Sequence, residues 1–144
     1  MSMPPRLSVV TIGAQNLPRL RNFYDSLGWE EVDGSDDDWA AYLVGGVLFA
    51  LYPFDELARE AGADDRPAAW SGVTLACNVD LPGDVDTAFE AAVNAGATPI
   101  SPPASREWGG RSGYIADPEG NRWEIAWART ARFDDRGSLV GFGS

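Results

Sequence analysis

Leu7 to Gly28, LSVVTIGAQNLPRLRNFYDSLG, opens with a β-branched run and then offers Asn16 as the cap of a helix. Its apolar positions Leu17, Leu20, Tyr24 and Leu27 follow helical spacing, and Gly28 stops the helix. The same order returns downstream. Gly72 to Gly96, GVTLACNVDLPGDVDTAFEAAVNAG, reads as a strand to Val79, a helix capped by Asp84 with Val85, Phe89, Ala92 and Val93 on one side, and a terminating Gly96. Internal repetition fixes an architecture before any single element does. The first unit continues with a short strand from Glu30 to Val32, an acidic turn, a strand from Trp39 to Val44, a Gly45-Gly46 hairpin turn and a strand from Val47 to Tyr52. A short helix from Phe54 to Ala61 is expected next, capped by Asp55 and closed by Gly62. The second unit continues with Thr98 to Ile100, a loop from Ser101 to Gly110, a strand from Gly113 to Ala116, the turn Asp117-Pro118-Glu119-Gly120 and a strand from Arg122 to Trp127. Each half is therefore β-α-β-β-β. The expectation is one α+β domain of two such modules, residues 7–62 and 70–128, with a polar linker over 63–69 and a tail over 129–144. Four strands and one helix cannot bury both faces of a sheet, so the two units must pair, within a chain or between chains. The tail reads as a mobile segment, with a lid over a site as the alternative.

Composition narrows the chemistry. The chain has 144 residues, 44% of them hydrophobic, which suffices for a real core. Its 22 acidic and 11 basic residues give a net charge of -11, so duplex nucleic acid and anionic membranes are not expected partners. There is no histidine, which removes Ser/His/Asp and Cys/His nucleophilic machinery and the HExxH zinc pattern. There is no lysine either, so Schiff-base chemistry and a P-loop are excluded. Cys77 is the single cysteine, which forbids an intrachain disulfide and makes a reduced cytoplasm the expected location. Met1 to Arg6 has no apolar signal core and no run approaches a membrane span, so a soluble, unprocessed chain is expected.

The residues Leu17 to Trp29 (LPRLRNFYDSLGW), together with Trp108-Gly109-Gly110 and Tyr114 to Glu124 (YIADPEGNRWE), resemble the glyoxalase/bleomycin-resistance/extradiol-dioxygenase superfamily, the vicinal oxygen chelate proteins. The resemblance runs over about residues 7 to 128. It implies two βαβββ modules whose mixed sheets curl into a cup with helices on the outside, and commonly a second chain that completes the cup. It also implies metal-ligand positions on the first and last strand of each module, which fall here at Val9, Ala50, Thr74 and Glu124. Only Glu124 matches, and one carboxylate with waters does not make a tight transition-metal site. No cofactor is expected; a divalent metal held through other carboxylates is the alternative.

Side chains alternate across a strand, so those positions sort their neighbours. The cup side takes Val9 and Thr11; Leu48, Ala50 and Tyr52; Thr74, Ala76 and Asn78; and Arg122, Glu124 and Ala126. The helix side takes Val10 and Ile12; Val47, Phe49 and Leu51; Val73, Leu75, Cys77 and Val79; and Trp123, Ile125 and Trp127. The second set is almost wholly apolar, as a helix-packing face must be. Cys77 is then a small core residue. Arg122 and Glu124, two apart on one strand, are placed to form a charge-assisted pair. The candidate ligand-binding set is Thr11, Trp39, Tyr42, Tyr52, Thr74, Asn78, Trp108, Arg111, Arg122 and Glu124, with Arg122 or Arg111 meeting an anionic or carbonyl group and the aromatics stacking on a flat ligand. The leading expectation is a metal-free homodimer that binds or sequesters a small cationic or aromatic molecule. The alternatives are a glyoxalase- or dioxygenase-like enzyme with an atypical metal site, and a metal-free acid/base enzyme using Glu124.

Overall fold

The repeat is present in the computed structural model, which describes residues 3, 5–63 and 70–142; all of the expected linker except Ala63, and the last two residues of the tail, lie outside that range. The first module runs β1 (Val9–Ala14), α1 (Leu17–Ser26), β2 (Ala40–Val44), β3 (Val47–Pro53) and α2 (Phe54–Ala61). The second runs β4 (Thr74–Asn78), α3 (Pro82–Asn94), β5 (Thr98–Ser105), β6 (Arg111–Ala116) and β7 (Arg122–Trp127), and it is followed by β8 (Arg132–Phe133) and β9 (Leu139–Gly141). The sheets are ordered β1-β3-β2 and β4-β7-β6-β5, with β1 parallel to β3 and β4 parallel to β7, so each is mixed. β8 and β9 pair only with each other.

Several local expectations change. Glu30 to Val32 makes only an isolated bridge, Glu31 to Tyr42, so the first sheet has three strands where four were expected. β5 continues through Ser105, so half of the expected Ser101 to Gly110 loop is strand; its two prolines are accommodated by register shifts against β6. Asn16 does cap α1, its side-chain oxygen accepting from the Arg19 N–H at 3.1 Å. Asp55 and Asp84 lie inside the first turns of their helices instead of at the caps, which are Pro53 and Leu81. There the negative charge still favours the helix N-terminus. The Gly45-Gly46 turn has φ of 56° and 90°, as a tight two-residue hairpin requires.

Strand parity holds on the helix side. Val10, Ile12, Phe49, Leu51, Leu75, Cys77, Val79, Trp123, Ile125 and Trp127 all belong to or pack against one core cluster spanning both modules. The exceptions are Val73, which precedes β4 and is exposed, and Val47 at the hairpin end. The cup side of module one is not open. A Cβ added to Gly13 would come within 2.9 Å of Phe54 Cδ2 and 3.4 Å of Leu57 Cδ2, so α2 lies on the face of β1 that Val9 and Thr11 share. Ala41 and Ala50, on that same face, are fully buried.

What joins the modules is the Asp117-Pro118-Glu119-Gly120 turn. Asp117 Oδ1 accepts from the N–H groups of Glu119 and Asn121, each at 2.9 Å, which shapes the turn, and Gly120 takes φ of 87°. Its other oxygen accepts the Tyr24 hydroxyl at 2.7 Å, and that hydroxyl in turn accepts from the Trp123 indole at 3.0 Å. Burial, with Asp117 beside it, pushes the Tyr24 phenol well above its ordinary pKa, so it stays a proton donor. Two residues on, Glu119 accepts from the Gln15 and Asn16 N–H groups at 2.8 and 2.7 Å, supplying acceptors and negative charge at the start of α1. Around these bonds Tyr24, Trp29, Phe49 and Trp123 stack at centroid separations of 5.0 to 6.3 Å. Tyr24→Phe removes the hydroxyl that satisfies two buried partners. It should cost about 1–3 kcal/mol of stability, read as a lowered midpoint in urea with an unchanged slope.

Candidate functional site

A cavity of about 890 Å³ opens where β4, the outer strand of the second sheet, faces the β2–β3 turn. Ala76, Asn78, Glu124 and Ala126 form its floor, all from the side of β4 and β7 that parity assigns to the cup. Trp29, Cys77 and Trp123 also line it, reached around the open edge of β4. Val44, Gly45 and Val47 close one end, and Trp108 with Gly109 forms a rim. The roof is the hairpin of β8 and β9, which contributes Phe133, Leu139 and, just beyond, Phe142. The wall is thus mostly apolar and includes five aromatic residues, Trp29, Trp108, Trp123, Phe133 and Phe142, with Asn78, Glu124, Arg129 and Thr130 as its polar groups, an arrangement typical of small-molecule sites.

Trp108 owes its position to a glycine. A Cβ on Gly110 would overlap the Trp108 ring and the Trp127 carbonyl, so the indole lies against bare backbone. The ring remains 58% exposed and is available to a ligand.

Of the expected site residues, Asn78, Trp108 and Glu124 line this cavity together. The others do not. Tyr42 is 1% exposed in the core; its hydroxyl donates to Asp25 Oδ1 at 2.8 Å, because its place opposite Phe49 turns it to the helix side. Arg111 stands opposite Trp127, also on the helix side, and grips Asp86 of α3 through two bonds of 2.9 and 2.8 Å. That pair lowers the Asp86 carboxyl, and the Arg111 guanidinium is already spoken for by it. Arg122 donates to the Gly120 carbonyl at 2.9 Å, and the expected Arg122–Glu124 bridge is not among the ion pairs of the described residues. Thr11 is half-buried opposite Ala50, beneath the face that α2 occupies. Tyr52 lies near α2, where the charge of Glu60 raises its phenol. Trp39 sits half-buried in the Asp36–Trp39 bridge, and Thr74 is exposed on β4; neither lines the cavity.

Two groups of site residues went unforeseen. Tyr114 stands directly opposite Glu124 on β6, and its phenol is raised by burial and then by the charge of Glu124. The register of β6 on β7 would have placed it, had Gly113 to Ala116 been read for parity. Phe133, Leu139 and Phe142 belong to the expected tail. Their signal was there in Asp134-Asp135-Arg136-Gly137, a turn sequence between apolar residues. In the structure the Asp134 side chain accepts from the Arg136 and Ser138 N–H groups at 2.9 and 3.0 Å, with Gly137 at φ of 83°.

The four family metal positions can now be judged by their donors. Val9 and Ala50 have none, Thr74 has a hydroxyl, and Glu124 has a carboxylate. A transition metal requires several N, O or S donors in fixed geometry, and these residues do not fit one. Burial raises the Cys77 thiol, which disfavours the thiolate form that a metal would bind. Behind Cys77, Trp29 and Trp123 a second, wholly apolar cleft of about 180 Å³ lies between α1 and α3, so these three side chains wall both spaces. Gly110→Ala should force the Trp108 indole off the backbone, changing the near-ultraviolet circular dichroism while the far-ultraviolet spectrum persists. An unchanged near-ultraviolet spectrum would show that the ring is not held there.

Known proteins agree with this fold. The chain is 30% identical over 105 residues to uncharacterized proteins of Mycobacterium bovis and Mycobacterium tuberculosis; the matches cover 71% of this chain and 67% and 60% of theirs. It spans about 60% of the length of the Mycobacterium tuberculosis relative. The crystal structure of a glyoxalase-related enzyme from Fulvimarina pelagi superposes with a TM-score of 0.86 at 28% identity, covering 97% of this chain and 100% of that one. Residues 6–125 match the pattern of the Glyoxalase/Bleomycin resistance protein/Dioxygenase superfamily, and the chain belongs to that superfamily.

Proposed function

We propose that this protein binds and sequesters a small aromatic or cationic molecule in the cavity beside Glu124, without a metal of the family type, and that it works in the cytoplasm as a homodimer. The observation that carries the reading is the wall itself. Trp29, Trp108, Trp123, Phe133 and Phe142 surround a single carboxylate where relatives of this superfamily would present a ligand set. Aromatic faces attract flat and cationic groups, and Glu124 supplies a negative acceptor at the floor. The net charge of -11 adds a long-range pull on cations. Dimerisation is supported by the uncovered outer strands β1 and β4, beside which Leu7, Val9, Trp70 and Val73 are exposed.

One observation favours a second reading, a metal-free acid/base enzyme. Tyr114 opposite Glu124 gives a phenol beside a carboxylate, with the phenol raised and therefore protonated at neutral pH. In that case Glu124 takes a proton from the ligand while Tyr114 supplies one or fixes an oxygen.

The two readings separate on Glu124→Gln. Sequestration predicts that a bound aromatic cation such as acridine orange, followed by tryptophan quenching, weakens about fivefold or more as the charge is lost, a range set by charged hydrogen bonds of roughly 1–3 kcal/mol. The enzyme reading predicts binding retained and turnover abolished. Stoichiometric metal in the purified protein, with Zn, Ni, Mn or Fe(II) raising the melting temperature and Glu124→Ala cancelling the effect, would overturn the metal-free proposal. Light scattering on an eluting size-exclusion peak should give twice the mass of the 15.5 kDa chain; a monomer would overturn the dimer.

A further inference from the structure

The stretch shared with the superfamily ends at residue 125, yet Arg129, Thr130, Phe133, Leu139 and Phe142 all line the cavity. Part of the wall therefore comes from a segment outside the stretch that matches the superfamily pattern, although the Fulvimarina pelagi structure aligns over 97% of the chain. We infer that the β8–β9 hairpin is a hinged roof that controls entry to the cavity and supplies the residues that determine which ligand it accepts. The inference rests on the reading of the cavity as a ligand site.

The hairpin is built to hold its shape on its own. β8 pairs with β9 and with no other strand, and the Asp134 side chain closes its turn. No other element makes extended contact with it. Leu139, Val140 and Phe142 are each about half exposed, so little apolar surface anchors it to the body. Segments with few buried contacts open at low free energy. It is attached at two places. One is the chain itself at the Ala128 to Ala131 turn, where the Ala131 N–H donates to the Ala128 carbonyl at 3.1 Å. The other is a clasp at the far end, where the Ser138 hydroxyl donates to the Gly45 carbonyl at 2.5 Å.

The clasp explains both glycines of the β2–β3 turn beyond their dihedral angles. A Cβ on Gly45 would stand 2.9 Å from the Gly137 carbonyl oxygen, and one on Gly46 would stand 2.8 Å from Ser138 Oγ. A side chain at Gly45 would press on the backbone of Gly137 and push the roof off the turn, whereas one at Gly46 would displace only the Ser138 hydroxyl. With the clasp closed, Phe133, Leu139 and Phe142 face a cavity whose opposite walls carry Trp29 and Trp123. A ligand held there meets apolar groups on both sides, with Glu124, Asn78, Arg129 and Thr130 as the polar groups of the wall. The class this admits is a planar, mainly apolar molecule with one polar head set among those groups; an extended polar chain would leave its own groups unsatisfied against the roof.

A reversible lock tests this. The Cβ that Gly46 would carry lies 3.8 Å from Ser138 Cβ, the separation usual in a disulfide. In a Cys77→Ala background, the pair Gly46→Cys and Ser138→Cys should oxidise, and the oxidised protein should bind the aromatic cation acridine orange at least about tenfold more slowly than the same protein after dithiothreitol. The reduced form controls for strain at Gly46, whose φ is 90°. Equal rates in the two forms, with the crosslink verified by mass, would overturn the inference.

A second variant needs neither a crosslink nor a ligand. Ser138→Ala loses only the clasp, and Cys77, the chain's one thiol and a cavity residue, reports on opening. Its reaction with 4,4′-dithiodipyridine should accelerate about two- to tenfold, the factor expected from one hydrogen bond; an unchanged rate would likewise overturn the roof. Failure of the probe to bind the wild-type protein would count against the aromatic-site reading, and the Cys77 rates would still decide whether the roof opens.

Discussion

A single buried hydroxyl organises this molecule. Tyr24 comes from the helix of the first module, and its oxygen sits between the Asp117 carboxylate and the Trp123 indole of the second. Without the second module α1 would lose the acceptor for Tyr24 and the Glu119 carboxylate that receives the N–H groups of Gln15 and Asn16. Without the first, the Asp117 turn would lack its donor and the Trp123 ring its aromatic neighbours. The repeat is thus two halves that bury each other's polar groups.

That contact also explains why the fold was legible and the function was not. The residues that carry the superfamily resemblance, Tyr24, Trp29, Asp117, Gly120, Asn121 and Trp123, are the ones that shape the turn and fasten the modules. Turn geometry, a buried carboxylate with a full set of donors and an interlocked aromatic cluster permit few substitutions, so they leave a readable pattern. The strand alternation was readable for the same reason: one face packs helices and must be apolar. What alternation could not give was which cup-side residues stay open. α2 covers the face of module one that Thr11 shares, through contacts at Gly13 that no periodicity announces.

Of the candidate site residues, Asn78, Trp108 and Glu124 meet at one cavity, whereas Tyr42 and Arg111 turn to the helix side. Tyr42 follows from its partner: opposite Phe49, it must point where Phe49 points. Arg111 is subtler, since an arginine beside a glycine-rich loop looks available until Asp86 on α3 is found across from it. For the tail, a mobile segment and a lid both fit the sequence, because short strands and polar turn residues resemble a disordered tail by composition, and the interactions of Asp134 and Ser138 mark an ordered hairpin.

Trp29, Cys77 and Trp123 wall the cavity on one side and the apolar cleft between α1 and α3 on the other. Those same side chains pack in the core that joins the modules, so that part of the cavity wall is frozen by the demands of folding. Changes of ligand preference over evolutionary time must then accumulate in the rest of it, in the Trp108 rim and the hairpin after residue 128, where a substitution alters the pocket without unfastening the core. Inheritance of the scaffold and diversification of the pocket are divided between different stretches of one short chain, and two members could share nearly every core residue while accepting unrelated molecules.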